Sequence, residues 1–87
     1  MQTVEVNSFK QVDIGGLKVP IVTVYNSPED YPGKCVARIF DCEKPTNTVI
    51  VKDTIEEIRE DITAAFPYML PFARSAADKL SIVETWI

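Results

Sequence analysis

Residues 48–66, TVIVKDTIEEIREDITAAF, constrain the fold more than any other stretch of this chain. Residues 48–52 are rich in β-branched side chains, which suit a pleated, half-buried strand. Asp53 and Thr54 are both good helix N-caps. Each is followed three positions later by a glutamate, Glu56 or Glu57, so a capping box is available in either register. Ile55, Ile58, Ile62 and then Ala65 and Phe66 recur at spacings of three and four, which puts one apolar stripe on an otherwise acidic helix. Pro67 lacks a backbone donor and marks the stop. The stretch predicts a strand running directly into a long amphipathic helix over about residues 54–66.

The other elements are arranged around this unit. At 87 residues the chain is read as one domain, 1–87, large enough to fold without metals or disulfides. Residues 3–6 alternate polar and apolar and predict a short strand at an edge. Asp13, Ile14, Gly15 and Gly16 read as a turn, because adjacent glycines reach positive φ cheaply. Residues 17–25, LKVPIVTVY, form the strongest β run of the N-terminal half. Pro20 cannot donate to a ladder, so this strand is expected at an edge or with Pro20 in a bulge. Residues 26–33 are dense in turn formers, and Pro32-Gly33 suits the central positions of a type II turn. Residues 34–41 predict the next strand, and residues 43–47 a second turn around Pro45. After the helix, residues 67–79 read as irregular, broken by Pro71, with a short helical turn available at residues 75–78. Residues 80–87, LSIVETWI, predict a final strand docked into the sheet at the C-terminus. The fold class is therefore α+β: a mostly antiparallel sheet of four or five strands with the helix on one face.

One helix covers one side of such a sheet, and the strands look apolar on both. In residues 34–41, Cys35, Ala37 and Ile39 share one face; Val36, Arg38 and Phe40 share the other. In residues 17–25, Leu17, Val19, Ile21 and Tyr25 oppose Val22 and Val24, a pattern typical of strands buried on both sides. The second face thus needs cover from the 67–79 segment, from a second subunit or from a partner. A homodimer or a partner-binding sheet face is the expectation, since apolar patches of several hundred Å² mark interaction surfaces.

The residue inventory narrows the chemistry. There is no histidine, which removes Ser-His-Asp and Cys-His catalysis. Cys35 and Cys42 are too few for a disulfide framework or a zinc site, and their spacing is not a CxxC motif. They are read as free thiols of a reducing compartment, consistent with a cytoplasmic protein. The opening MQTVEVNSF has neither a basic start nor an apolar run and predicts no secretory signal. No apolar segment approaches the ~20 residues that span a bilayer.

Glu56, Glu57, Glu60 and Asp61 read as a solvated acidic face, with Lys52–Glu56 and Glu56–Arg59 as weak ion pairs, and not as a metal site. No cofactor is expected. The net charge is −4, the pI is near 4.6 and the nine basic residues are scattered, which argues against nucleic-acid binding. Arg38, a charge within an apolar strand, is expected to snorkel at the sheet edge or to pair with Asp41 or Glu84, or else to contact an anionic group of a partner. Tyr25 and Asp41 draw attention beside it. Tyr31, Val36, Arg38, Phe40, Arg74 and Trp86 are the candidate partner or ligand contacts; no nucleophile–base pair can be assembled from them, so an enzyme is not expected.

The segments YPGKCVARIFD, KPTNTVIVKDTIEEIREDI and SIVETWI resemble a group of small bacterial and phage-associated proteins of unassigned function. The resemblance covers most of residues 31–87 and implies a phage or mobile-element context, with no activity, cofactor or catalytic residue to carry over. A looser likeness is to HicB-type antitoxins, in which a hairpin leads into a DTLEEA-like helix start, as VKDTIEEI does here. The chain lacks that family's xFPDLPG segment and its added DNA-binding element. Three functions are therefore weighed: a non-enzymatic interaction or assembly module, an antitoxin-like regulator binding a protein partner with or without nucleic acid, and a small-molecule binder using Arg38 and Arg74.

Overall fold

The strand-to-helix unit is present in the computed structural model, which describes residues 3–76 and 80–87. Strand β4 (Lys44–Lys52) leads into helix α1 (Ile55–Ala65) through Asp53 and Thr54. Thr54 is the N-cap: its hydroxyl accepts the Glu57 N–H at 3.2 Å, satisfying one of the helix's free donors. Asp53 is left to pair with Lys34. The helix closes with the Phe66 N–H on the Ile62 carbonyl at 2.7 Å, immediately before Pro67.

The described residues form one α-helix and a six-stranded mixed sheet. The other strands are β1 (Val4–Glu5), β2 (Pro20–Asn26), β3 (Cys35–Asp41), β5 (Pro71–Ala73) and β6 (Ile82–Trp86). Their spatial order is β1-β4-β3-β2-β6-β5. All neighbours are antiparallel except β1, which lies parallel to β4 along the edge.

Four expectations need correction. The sheet has six strands, not four or five, and one pair is parallel. β2 is central, between β3 and β6; Pro20 is tolerated because it is the strand's first residue. β4 begins at Lys44 and absorbs Pro45, because Cys42, at φ 58°, turns the chain earlier. The surplus residues are taken up opposite Ile39, where Asn47 adopts φ 70° and the Thr46 hydroxyl donates to the Ile39 carbonyl at 2.9 Å. Finally, part of the segment expected to be irregular is strand β5.

β5 tolerates Pro71 for a geometric reason. Leu70 and Ile87 exchange both main-chain hydrogen bonds, at 2.9 and 3.0 Å. Antiparallel pairs alternate between bonded and non-bonded, so Pro71, opposite Trp86, aims its nitrogen at the free edge, where no donor is needed. The helical turn expected over residues 75–78 lies partly outside the described residues.

The turn expected at Pro32-Gly33 has the required geometry: Gly33 sits at φ 78° and the Lys34 N–H bonds the Tyr31 carbonyl at 3.2 Å. β1 is an edge strand, as its alternation suggests.

The core lies on the side of the sheet that faces α1. Val22, Val24, Cys35, Ala37, Ile39, Ile50 and Trp86 meet Ile58, Ile62 and Phe66 of the helix side, together with Phe9 and Met69. Burying Ile58 and Ile62 completely contributes about 1.5–3 kcal/mol each. The helix does not cover this side alone. Val6, Val12, Ile14 and Leu17 also pack against the core, so the N-terminal segment runs across the sheet beside α1.

A 3-10 turn over Phe9–Gln11 anchors that segment. The Ser8 hydroxyl donates to Asp61 at 2.6 Å, the Phe9 N–H donates to the same carboxylate at 2.8 Å, and the Phe9 and Phe66 rings stack 5.7 Å apart. Asp61 therefore does not belong to a solvated acidic face; it ties the N-terminal segment to the helix.

Arg59 likewise departs from the expected pairing with Glu56. Its guanidinium reaches the sheet and holds Glu84 at 2.8 and 3.2 Å, while the Trp86 indole donates to the same carboxylate at 2.6 Å. Burial alone would push the Glu84 carboxyl up, but these bonds outweigh it and hold the group below its ordinary value.

Candidate docking face

Among the described residues, the side of the sheet away from α1 carries no helix. Alternation and register assign its side chains to three rows running across the strands. Nearest the loop between β2 and β3 lie Val51, Val36, Tyr25 and Ile82. The middle row is Glu5, Val49, Arg38, Thr23, Thr85 and Phe72, one residue from each strand. The far row holds Phe40 and Ile21, with Pro45 paired to Phe40. It continues one step beyond the Val22–Trp86 pair to Ile87, whose bonded partner is Leu70. Every member of that far row is apolar.

Among the described residues, Val36 in the first row and Val49 in the middle row are buried. In the loop over residues 27–34, Ser27 adopts φ 51° and its hydroxyl accepts the Gly33 N–H at 2.9 Å. The loop folds over the sheet end, burying Pro28 and bringing Asp30 within 3.0 Å of the Arg38 guanidinium. The described part of the 67–79 segment, residues 67–76, does not form the lid considered for it: Met69 packs into the helix-side core and Pro71–Ala73 joins the sheet edge. Phe72, Leu70 and Ile87 remain 54%, 63% and 54% exposed, so the β5 end of this face is open to solvent, while Phe40 and Ile21 are half-buried.

Between loop and sheet is an open hollow of about 320 Å³, bordered by Tyr25, Val36, Arg38, Glu29, Asp30 and Ser81. Burial pushes the Tyr25 hydroxyl up; Arg38 opposes the shift and Asp30 adds to it. Among the described residues, Arg38 Nε is a buried nitrogen without a hydrogen-bond acceptor. The local charge is nevertheless negative, because one guanidinium faces the carboxylates of Glu29 and Asp30. A second anion meets repulsion there, so the hollow is poorly suited to the anionic contact expected of Arg38.

Arg38 pairs with Asp30, and not with Asp41 or Glu84. Alternation supplies the reason. Asp41 is three residues along β3 and projects from the other face, where its carboxylate accepts the Val19 N–H at 2.9 Å. Glu84 pairs with Val24 on the helix side.

Of the six candidate contacts, Val36, Arg38 and Phe40 share this face. Tyr31 lies in the 27–34 loop, half-buried, with its carbonyl in the turn. Arg74 follows β5 and is exposed, its guanidinium donating to the Ser75 carbonyl at 3.1 Å. Trp86 is on the opposite side, buried against the helix core. The contributors not singled out from sequence are Ile21, Thr23, Leu70, Phe72, Thr85 and Ile87. Their signal was the shared parity of residues 70 and 72, which becomes legible once Pro71 is read as an edge-strand proline.

Cys35 is buried and Cys42 exposed, both as free thiols. Among the described residues, no group of three or more Cys, Asp or Glu side chains is placed to hold a metal ion, and no helix is long and apolar enough to cross a membrane. No family model, curated protein or solved structure matches this chain.

Proposed function

We propose that this chain is a non-enzymatic interaction or assembly module that works in the cytoplasm and docks another protein surface on its helix-free sheet face. The observation that carries this reading is the apolar row Phe40, Ile21, Ile87 and Leu70, with Phe72 beside it. Leu70, Phe72 and Ile87 stand exposed, with Phe40 and Ile21 half-buried beside them. A face of this kind gains free energy when a protein surface excludes water from it. The unpaired thiols of Cys35 and Cys42 are in keeping with a reducing compartment. The likeness of YPGKCVARIFD and KPTNTVIVKDTIEEIREDI to phage-associated proteins supports a mobile-element setting for the assembly.

Photo-cross-linking tests the reading. With benzoylphenylalanine in place of Phe72, irradiation in cells that express the chain is expected to trap a protein product. The same probe at Val4, exposed at the β1 edge on the helix side, serves as the control. If position 72 traps no more than position 4, the face does not dock protein and the proposal fails.

A further inference from the structure

We infer that the protein docked on this face is basic, and that one of its lysine or arginine side chains enters the hollow between the 27–34 loop and the sheet while an apolar patch beside it covers Leu70, Phe72 and Ile87. This inference rests on the docking reading above and names the chemistry of the partner.

Charge is the first argument. In the three rows and around the hollow, the charged side chains are Glu5, Glu29, Asp30 and Arg38, three carboxylates to one guanidinium. Arg38 is already held by Asp30 at 3.0 Å, and among the described residues Glu29 takes part in no ion pair. Glu5, Glu29 and Asp30 are all exposed. Arg74, which follows β5 two strands away from Tyr25, has its guanidinium on the Ser75 carbonyl. An acidic protein, a nucleic acid or a second copy of this chain, at −4, would bring like charges together here, whereas a basic surface is drawn in.

The lining of the hollow is the second. At about 320 Å³ it stands at the small end of ligand-sized cavities and has room for one long side chain. Tyr25 and Val36 supply apolar wall, while Glu29, Asp30 and Ser81 supply acceptors at the border. Lysine and arginine divide in the same way, an apolar stem ending in a cation that stays in a polar rim. A tyrosine ring adds attraction for a cation lying over it. Arg38 repels such a cation from its own side, which directs the head group to Glu29.

The third is position. Phe72 lies two strands and one row from Tyr25, ~10 Å across the sheet and ~7 Å along it. Socket and apolar patch fit under one partner, since a standard interface of about 800 Å² per side is roughly 30 Å wide.

Three hexapeptides test the chemistry by NMR titration of the isotope-labelled chain at low salt: acetyl-LKFKLK-amide and its counterparts with glutamine or glutamate in place of lysine. The lysine peptide is expected to shift the amides of Tyr25, Glu29, Asp30, Val36 and Phe72, and the glutamate peptide none of them. Glu29→Gln is expected to weaken the lysine peptide about threefold or more, whereas Glu56→Gln, on α1 beyond the other side of the sheet, leaves it unchanged. Equal shifts from the glutamine peptide overturn the inference, as do lysine-peptide shifts centred on Glu56, Glu57 and Glu60, or none at all. Cross-linking at position 72 then separates this inference from the docking reading. Glu29→Lys, at an exposed position, is expected to cut the trapped protein product about threefold or more. A product that survives the charge reversal, or one made of two copies of this chain, keeps the docking face and removes the basic partner. No product even without the reversal removes both.

Discussion

Replacing Arg59 with methionine tests the least comfortable feature of this core, a carboxylate beneath a helix. Glu84 is only 6% exposed and accepts bonds from Arg59 Nε, Arg59 Nη2 and Trp86 Nε1. Methionine keeps the apolar stem and removes the charge, so Glu84 is left with the indole as its single donor. Stripping one partner from a fully buried pair costs about 3–5 kcal/mol. The Arg59 side chain is 49% exposed, so water reaches the vacated side and the expected cost falls to about 1.5–2.5 kcal/mol.

For a domain of this size, that loss lowers Tm by about 10 °C. Urea unfolding of the wild type, Arg59→Met, Glu84→Gln and the double variant measures it. The cycle is expected to show a coupling of about 1–2 kcal/mol, because the double variant no longer buries an unpaired charge.

The pH dependence has a fixed direction. The folded-state value of Glu84 lies below its unfolded value, so its contribution is complete at neutral pH. It begins to fall as the pH drops through about 4.3 and is lost once the folded-state value is passed. The wild type should therefore lose stability in acid faster than Glu84→Gln. If Arg59→Met lies within about 0.5 kcal/mol of the wild type, the cycle shows no coupling and the two acid profiles run parallel, the account of Glu84 as a neutralised buried charge is wrong.

Three further outcomes follow from the packing. Ile62→Ala, at a fully buried position facing the sheet, is expected to cost about 2–5 kcal/mol in urea or thermal unfolding; a loss under 1 kcal/mol would mean that α1 is not seated as described. Thr54→Ala removes the N-cap acceptor of Glu57 and should cost about 1 kcal/mol, whereas Asp53→Ala should leave the helix start unaffected. A thiol reagent added to the native protein should modify exposed Cys42 quickly and Cys35 only on unfolding, because Cys35 is buried and its thiol is pushed up by burial; equal rates would contradict the placement of β3.

The helix-free sheet face shows what one sequence can and cannot reveal. The alternation of Val36, Arg38 and Phe40 was readable from β3 alone, because a strand's period of two does not depend on its neighbours. The partner of Arg38 was not readable. Asp30, Asp41 and Glu84 are all carboxylates, and only the fold brings the first to it while turning the other two to the far side of the sheet. Trp86 misled in the same way: an aromatic residue near a chain end suits an interface or a core equally well, and the register with Val22 places it in the core. Leu70 and Phe72 were hidden because they flank Pro71, the first residue of a strand only three residues long, and Ile87 because its place in the row depends on its pairing with Leu70.

What this sequence determined by itself was local. The β-branched run at residues 48–52, the Thr54 cap, the isoleucine stripe and the stop at Pro67 each depend on interactions within a few residues, so α1 and its entry strand could be read without knowing what they touch. The tertiary structure decided everything that depends on long-range pairing: the central position of β2, the parallel docking of β1, the seating of Asp61 on Ser8 and Phe9, and the line-up of Phe40, Ile21, Ile87 and Leu70 from strands far apart in the chain. Strand order and register are set by the sum of many weak cross-strand contacts and by which apolar side chains find cover together. No single stretch of sequence contains that sum.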